Sequence, residues 1–171
     1  MTSLYPLAVP HRLAGIPSGV DGVRATLAEM VKMTRLYKKD IGIINLARKL
    51  ITNPPLKLAS ERLSRLQAFV RDKILYVPDP LDGPELVQTP KRTLEIGTGD
   101  CDDKATLLAA LLTSIGIPVR FRAVGFDNGP YSHVLVQARL GRGWHDLETI
   151  LDNVRAGWGP PNTTRNMVAH V

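Results

Sequence analysis

The sequence predicts an α+β fold in which N-terminal helices pack on a small antiparallel sheet. The main observation is a change of hydrophobic period, from helical spacing before Gly116 to alternation after it. Helices that precede a group of short strands are typical of the α+β class. The 171 residues are enough for one compact domain with a buried core.

Three helices are expected before residue 77. Asp21 and Asp40 are N-cap residue types that precede the first two helices, and Pro54-Pro55 ends the second. Apolar residues at helical spacing predict a third helix from about Ala59 to Tyr76. The prolines and glycine at 78, 80, 83 and 84 predict a loop after this helix, which leads through ELVQTPKRTLEIGTG to Cys101.

The fourth helix has the clearest pattern. One predicted face carries Cys101, Ala105, Leu108, Leu112 and Ile115. Gly116 follows as the glycine that commonly ends a helix. The alternating segment 119–126 and the hairpin formed by 132–140 and 144–150 then predict three strands.

These elements predict four units along the chain. We expect an N-terminal arm (1–19), an N-terminal helical segment (20–58), a core (59–156) and a C-terminal tail (157–171). The tail carries no periodicity, so we expect it to lie across the surface.

Composition and motifs exclude several classes of protein. The net charge is +6, but the basic residues are dispersed and no nucleic-acid-binding motif is present, so specific nucleic-acid binding is not expected. No segment resembles a signal peptide or a membrane span, so no membrane contact is expected. A single cysteine cannot form an internal disulfide.

Metal and cofactor sites are not expected either. The single Cys and the scattered His residues lack the spacing of metal ligands. Asp100, Asp102 and Asp103 lack the rest of a calcium loop. The Gly97-Thr98-Gly99 run has no phosphate-loop continuation.

Cys101 stands at the predicted start of the fourth helix, next to Asp100, Asp102 and Asp103. A helix N-terminus lowers the pKa of a thiol and favours thiolate. Asp100 suits the N-cap, and the other two carboxylates favour the first turn. Taken alone, Cys101 is better explained as a buried structural cysteine, since it continues the apolar face.

The predicted hairpin offers a partner for His133. A two-residue turn pairs residue 140 with 143 and therefore 135 with 148, which places Glu148 diagonally opposite His133 on the same face. Asp146 lies on that face one pair further away. A carboxylate so placed can orient the imidazole.

Three blocks in this order carry a family resemblance: GDCDDKATLLAALLTSIGIPVRFRAVGF, YSHVLVQARL and GWHDLETI. Together they resemble the transglutaminase-like cysteine-hydrolase superfamily over about residues 59–151. The segments VQTPKRTL and GWGPP further resemble transglutaminase-like proteins of tailed bacteriophages. The resemblance implies a papain- and transglutaminase-like core.

The same resemblance implies roles for individual residues. Cys101 would be the nucleophile and His133 the general base and acid. The family spacing points to Glu148 as the third member, although the family has aspartate there, and Asp146 after a register shift is the alternative. Gln88 is a candidate second oxyanion donor beside the Cys101 backbone N–H, or simply a polar loop residue.

Two functions follow as expectations. The first is a cysteine-dependent amide hydrolase or acyl transferase in a phage particle or its assembly, acting on protein or peptide amides, cell-wall peptides included. The second is a non-enzymatic virion protein that uses the fold as a binding module. Both imply other phage structural proteins as partners, with synthesis in the host cytoplasm and a place in the virion.

Overall fold

The computed structural model describes residues 11–12, 19–79 and 86–171. Within them the helices are α1 (Val20–Tyr37), α2 (Ile41–Thr52), α3 (Ala59–Lys73), α4 (Pro90–Ile96) and α5 (Cys101–Ser114). The strands are β1 (His11–Arg12), β2 (Leu75–Tyr76), β3 (Leu86–Val87), β4 (Thr98–Gly99), β5 (Val119–Phe126), β6 (Tyr131–Leu140), β7 (Gly143–Leu147) and β8 (Thr163–His170). The predicted α+β fold is confirmed.

Helix α5 is the centre of the fold. Its residues from Asp102 to Leu112 are all buried, because α1, α2, α3 and α4 pack around it and the sheet covers its remaining side. A helix covered on every side needs small or apolar residues around its whole circumference. The run ATLLAALL supplies them. Cys101 is the first residue of this central helix, as predicted.

The main sheet is antiparallel, with strand order β7-β6-β5-β8. Phe121 of β5 and Val136 of β6 face the core with the leucines of α5. The hairpin pairs Leu140 with Gly143 and Gln137 with Asp146, so the predicted register is confirmed. This register positions the polar residues at the ends of β6 and β7.

The first three helices differ from the prediction at their ends. Asp40 caps α2 as predicted, since its carboxylate accepts hydrogen bonds from the N–H groups of Gly42 (2.8 Å) and Ile43. Asp21 was the wrong N-cap for α1, because the helix follows Gly19 (φ 76°), a backbone conformation that glycine favours. Helix α3 ends at Lys73, and the expected last turn instead forms β2, which pairs with β4.

Two elements contradict the predicted loop and tail. Helix α4 lies in the predicted loop; the Thr89 side chain caps its start and Gly97, with φ 69°, ends it. Strand β8 lies in the predicted surface tail and pairs along the whole of β5. Most β8 side chains are exposed, so the strand lacks the apolar alternation that would have revealed it.

Most of the predicted N-terminal arm lies outside the described residues. Residues 11–12 and Gly19 are described there, and the first two form β1, which pairs with β3. The division into four units stays a prediction. None of the helices in the described ranges combines the length and the apolar character that crossing a bilayer requires.

Candidate active site

Cys101 lies at the N-terminus of α5, between Asp100 and Asp103, which form a capping box. The Asp100 carboxylate accepts a hydrogen bond from the Asp103 N–H (3.3 Å), and the Asp103 carboxylate accepts one from the Asp100 N–H (3.4 Å). The predicted N-cap is therefore confirmed. Cys101 itself is partly buried. Its backbone lies among N–H groups that favour negative charge at this end of the helix.

A pair of short strands fixes the chain just before Cys101. The N–H of Leu75 donates to the carbonyl of Gly97 (2.8 Å), and the N–H of Val77 donates to the carbonyl of Gly99 (3.1 Å). A Cβ atom on Gly99 would lie 2.7 Å from the Cβ atom of Asp103. Position 99 therefore has no room for a side chain, which explains the glycine two residues before the cysteine.

His133 and Glu148 form a buried pair. The Nε2 atom of His133 lies 2.7 Å from Oε2 of Glu148, and the side chains are 15% and 2% exposed. The other carboxylate oxygen accepts hydrogen bonds from the backbone N–H groups of Thr149 (2.8 Å) and Ile150 (2.7 Å). Four polar contacts, counting the one that Gln67 makes to the Glu148 carbonyl, thus hold this residue in place.

The environment of Glu148 keeps it ionised. Burial alone would raise its pKa, but the hydrogen bond and charge of His133 and the two backbone N–H groups outweigh burial, so the pKa is lowered. Because Nε2 of His133 contacts this carboxylate, Nδ1 is the ring nitrogen left to exchange a proton with a substrate or a thiol.

Asp146, the alternative acid, does not contact His133. Its carboxylate contacts Arg122 (2.6 Å) and the Gln137 side-chain amide (2.7 Å) on the outer face of the sheet. The register shift that would bring it to His133 does not occur. Between the two predicted carboxylates, the structure brings only Glu148 to the imidazole.

Gln88 is bound by Asp103. Its backbone N–H and its side-chain amide each donate to one Asp103 oxygen, both at 2.6 Å. These bonds tie the segment before α4 to the first turn of α5. They commit one amide hydrogen of Gln88, so its role as an oxyanion donor stays a prediction.

Three carboxylates crowd this helix start. Oxygen atoms of Asp100, Asp102 and Asp103 lie within 4.8 Å of one another, a grouping that could hold a metal ion. Burial and then the charge of Asp100 raise the pKa of Asp103 to about 7, against the hydrogen bonds from Gln88. Asp102 is fully buried, and no described N–H or O–H group donates to it. Burial, then its contact with Asp100, raises its pKa well above the ordinary value.

The buried Asp102 carboxyl should make stability depend on pH. The folded chain keeps this proton over a pH range in which the unfolded chain has lost it, so stability should fall as the pH rises above about 4. Asp102→Asn should therefore raise the free energy of unfolding, and the gain over wild type should be larger at about pH 8 than at about pH 5. Urea titrations at both pH values measure it.

Asp21→Asn is the matched control, because Asp21 lies on the surface and pairs with the exposed Arg24. It should leave the pH dependence unchanged. A gain for Asp102→Asn that is equal at the two pH values would contradict the assigned protonation.

The sequence did not single out two residues that lie beside the site. Gln67 of α3 is 1% exposed and donates to the Glu148 carbonyl (2.8 Å). Lys104 of α5 is 2% exposed and follows Cys101 by three residues. The charge of Glu148 raises the pKa of Lys104, against the lowering that burial causes. A lysine that directly precedes the run ATLLAALL was the available signal for this second residue.

Solved structures share the fold. A candidate cysteine protease of Cytophaga hutchinsonii superimposes with a TM-score of 0.57 at 16% identity, over 84% of this chain and 55% of that chain. LapG of Legionella pneumophila gives a TM-score of 0.56 at 18% identity, over 78% of this chain and 77% of that one. A calcium-bound form of LapG matches at the same TM-score. At these identities the likeness establishes the fold alone.

Sequence comparison gives a partial relative and a family. Dynein regulatory complex subunit 7 of Chlamydomonas reinhardtii is 39% identical over 64 residues, which is 36% of this chain and 5% of that protein. The chain thus spans a small part of this relative and about half of the Cytophaga protein. The model of the transglutaminase-like superfamily matches residues 44–149, which contain Cys101, His133 and Glu148. The chain therefore belongs to the transglutaminase-like superfamily.

Proposed function

We propose that the chain is a cysteine-dependent amide hydrolase or acyl transferase, with Cys101 as the nucleophile, His133 as general base and acid, and Glu148 as the orienting carboxylate. The observation that carries the proposal is the 2.7 Å contact between His133 and a carboxylate that two backbone N–H groups also hold. A buried acid so fixed sets the orientation of the imidazole and stabilises its charged form.

In the proposed mechanism, the Cys101 thiol and the His133 imidazole act as a pair. His133 takes the proton of the Cys101 thiol, and the thiolate attacks the carbonyl carbon of the amide. The tetrahedral oxyanion then collapses as His133 protonates the nitrogen, so that the C–N bond breaks and the amine leaves. A thioester remains on Cys101. Water or a second amine attacks it, gives its proton to His133 and displaces the thiol.

The acceptor decides between the two activities. Water as acceptor makes the chain a peptidase or amidase, whereas an amine makes it a crosslinking acyl transferase. The backbone N–H of Cys101 at the start of α5 is the first oxyanion donor in this proposal, and Gln88 is the candidate for the second. The substrate class is a protein or peptide amide, cell-wall peptides included.

The phage setting belongs to the same proposal. It rests on the resemblance of VQTPKRTL and GWGPP to phage transglutaminase-like proteins. In that setting the chain is made in the host cytoplasm, acts in a virion or during its assembly, and has other structural proteins as partners. The second candidate function is a non-enzymatic virion protein with the same fold, which the glutamate at position 148 favours, because the family has aspartate there.

Alkylation of the thiol separates the two functions. At about pH 6 an ordinary thiol, with pKa near 8.5, is almost wholly protonated. We expect iodoacetamide to modify Cys101 in the folded protein about tenfold faster than in the urea-unfolded chain, since an ion pair raises the thiolate fraction although it lowers intrinsic nucleophilicity. Mass spectrometry against time measures both rates.

His133→Ala is the control for this experiment and should remove the advantage of the folded chain. Each rate is measured with EGTA and with calcium, so that a cation between the three carboxylates beside Cys101 is not mistaken for a property of the thiol. Equal rates for folded, unfolded and variant protein would reject the enzyme and leave the binding module.

A further inference from the structure

Lys104 is a buried cation that the proposed chemistry does not use. Its ammonium donates to the carbonyl of Ile74 (2.6 Å) and to the carbonyl of Arg71 (3.3 Å), at the end of α3. The last carbonyls of a helix lack partners within the helix, and a positive charge is favoured there. Burying a charged group is costly unless it is paired. The lysine therefore joins the first turn of α5 to the last turn of α3.

The same helix also holds the segment that carries Glu148. Gln67 donates to the Glu148 carbonyl (2.8 Å), and the Arg71 guanidinium donates to the Val154 carbonyl (3.1 Å). Gln67 and Arg71 lie four residues apart on α3 and Ile74 directly follows its last residue, so the three lie on one side of this helix. This side thus contacts both the helix of the candidate nucleophile and the segment of the orienting acid.

Charges around Lys104 connect it to the same acid. Burial lowers its pKa, whereas the charges of Glu148, Asp72 and Asp152 raise it and that of Arg71 lowers it. These are charges from α3 and from the segment that follows β7. Lys104 follows Cys101 by three residues on α5, so the tether to α3 starts within the helix turn that carries the candidate nucleophile.

We propose that Lys104 and Gln67 are positioning residues of the site. They act through α3, which fixes the Cys101 end of α5 relative to the Glu148 carboxylate. This inference rests on the proposed function. Lys104 contributes a charged tether to the carbonyls of Ile74 and Arg71, whereas Gln67 contributes a neutral hydrogen bond to the Glu148 carbonyl. The two residues therefore separate the effect of a charged contact from that of a neutral one.

The first test is the pH profile of Cys101 alkylation in Lys104→Met. Loss of the tether should displace the start of α5 and lower the rate at about pH 6 by about threefold relative to wild type, and the two rates should converge at about pH 9, where the thiolate predominates in both. Lys73→Met is the matched control, because Lys73 is a lysine at the same end of α3 whose side chain is exposed. It should leave the profile unchanged.

Gln67→Met is the second test, because it removes the hydrogen bond to Glu148 without a change of charge. The quantity compared is the alkylation rate at about pH 6 minus the rate of His133→Ala. Gln67→Met should lower this difference by about threefold. Lys104→Arg keeps the charge and the donors and should restore at least part of the wild-type profile. Urea titrations of each variant show whether the protein is folded when alkylated.

The outcomes are separable. Wild-type profiles for folded Lys104→Met and Gln67→Met would overturn this inference while leaving the proposed function intact. If Lys104→Met does not fold, an unchanged Gln67→Met profile overturns it. A wild-type rate that equals that of the unfolded chain would instead reject the proposed function itself.

Discussion

Glu148→Gln is expected to slow alkylation of Cys101 at about pH 6 by about tenfold or more while changing the free energy of unfolding little. Glutamine keeps the size of the side chain, and its carbonyl oxygen can still accept from the N–H groups of Thr149 and Ile150. Its amide carries no charge, so it cannot stabilise the imidazolium of His133. The thiolate that depends on this imidazolium should therefore become rare.

Asp146→Asn provides the comparison, because Asp146 was the alternative acid and its carboxylate contacts Arg122 instead. Its effect should fall on stability, with the alkylation rate close to that of wild type. The reverse order of effects would make Asp146 the orienting acid. No effect from either change would leave Cys101 and His133 as a dyad, or the site as a relic in a structural protein.

Phe121→Ala is expected to destabilise the fold by about 3–5 kcal/mol. Phe121 is fully buried in β5, between Val136 of β6 and Ala169 of β8, and belongs to the core that the sheet shares with α5. Removing its ring leaves a cavity that the central helix cannot fill, because α5 is fixed on its other sides. Urea unfolding followed by circular dichroism measures the loss.

Val168→Ala is the control for this change, because Val168 lies in β8 with 40% of its surface exposed. Its effect should stay within about 0.5–1 kcal/mol. A cost below about 1.5 kcal/mol for Phe121→Ala would mean that the sheet does not pack on α5 as described.

The sequence was most informative where one physical rule determines the structure. Alternation with one buried face defined β5, and the two-residue turn fixed the register that places Glu148 near His133. The start of α5 could also be predicted, because Asp100 is a preferred N-cap residue and the apolar run after Cys101 predicts a buried helix. These are local rules that the distant parts of the chain do not override.

Elements whose signals are short or polar were missed. Helix α4 has seven residues, too few for a hydrophobic period, although the Thr89-Pro90 pair is a typical helix start. Strand β8 has mostly exposed side chains, so only its pairing with β5 defines it. The contacts of Gln67 and Lys104 join residues that are distant in sequence, and a single sequence carries no record of such contacts.

Strand β8 also determines which edge the sheet presents to other molecules. Without it, β5 would expose a row of backbone N–H and C=O groups along an apolar strand, the kind of template on which chains aggregate. With it, the outer edge carries the sequence TTRNMVAH, in which Arg165 and Asn166 are exposed. Charged and polar side chains on an edge disfavour pairing with a further strand. The strand that sequence periodicity did not reveal is thus the one that covers β5 and gives this edge of the sheet its polar side chains.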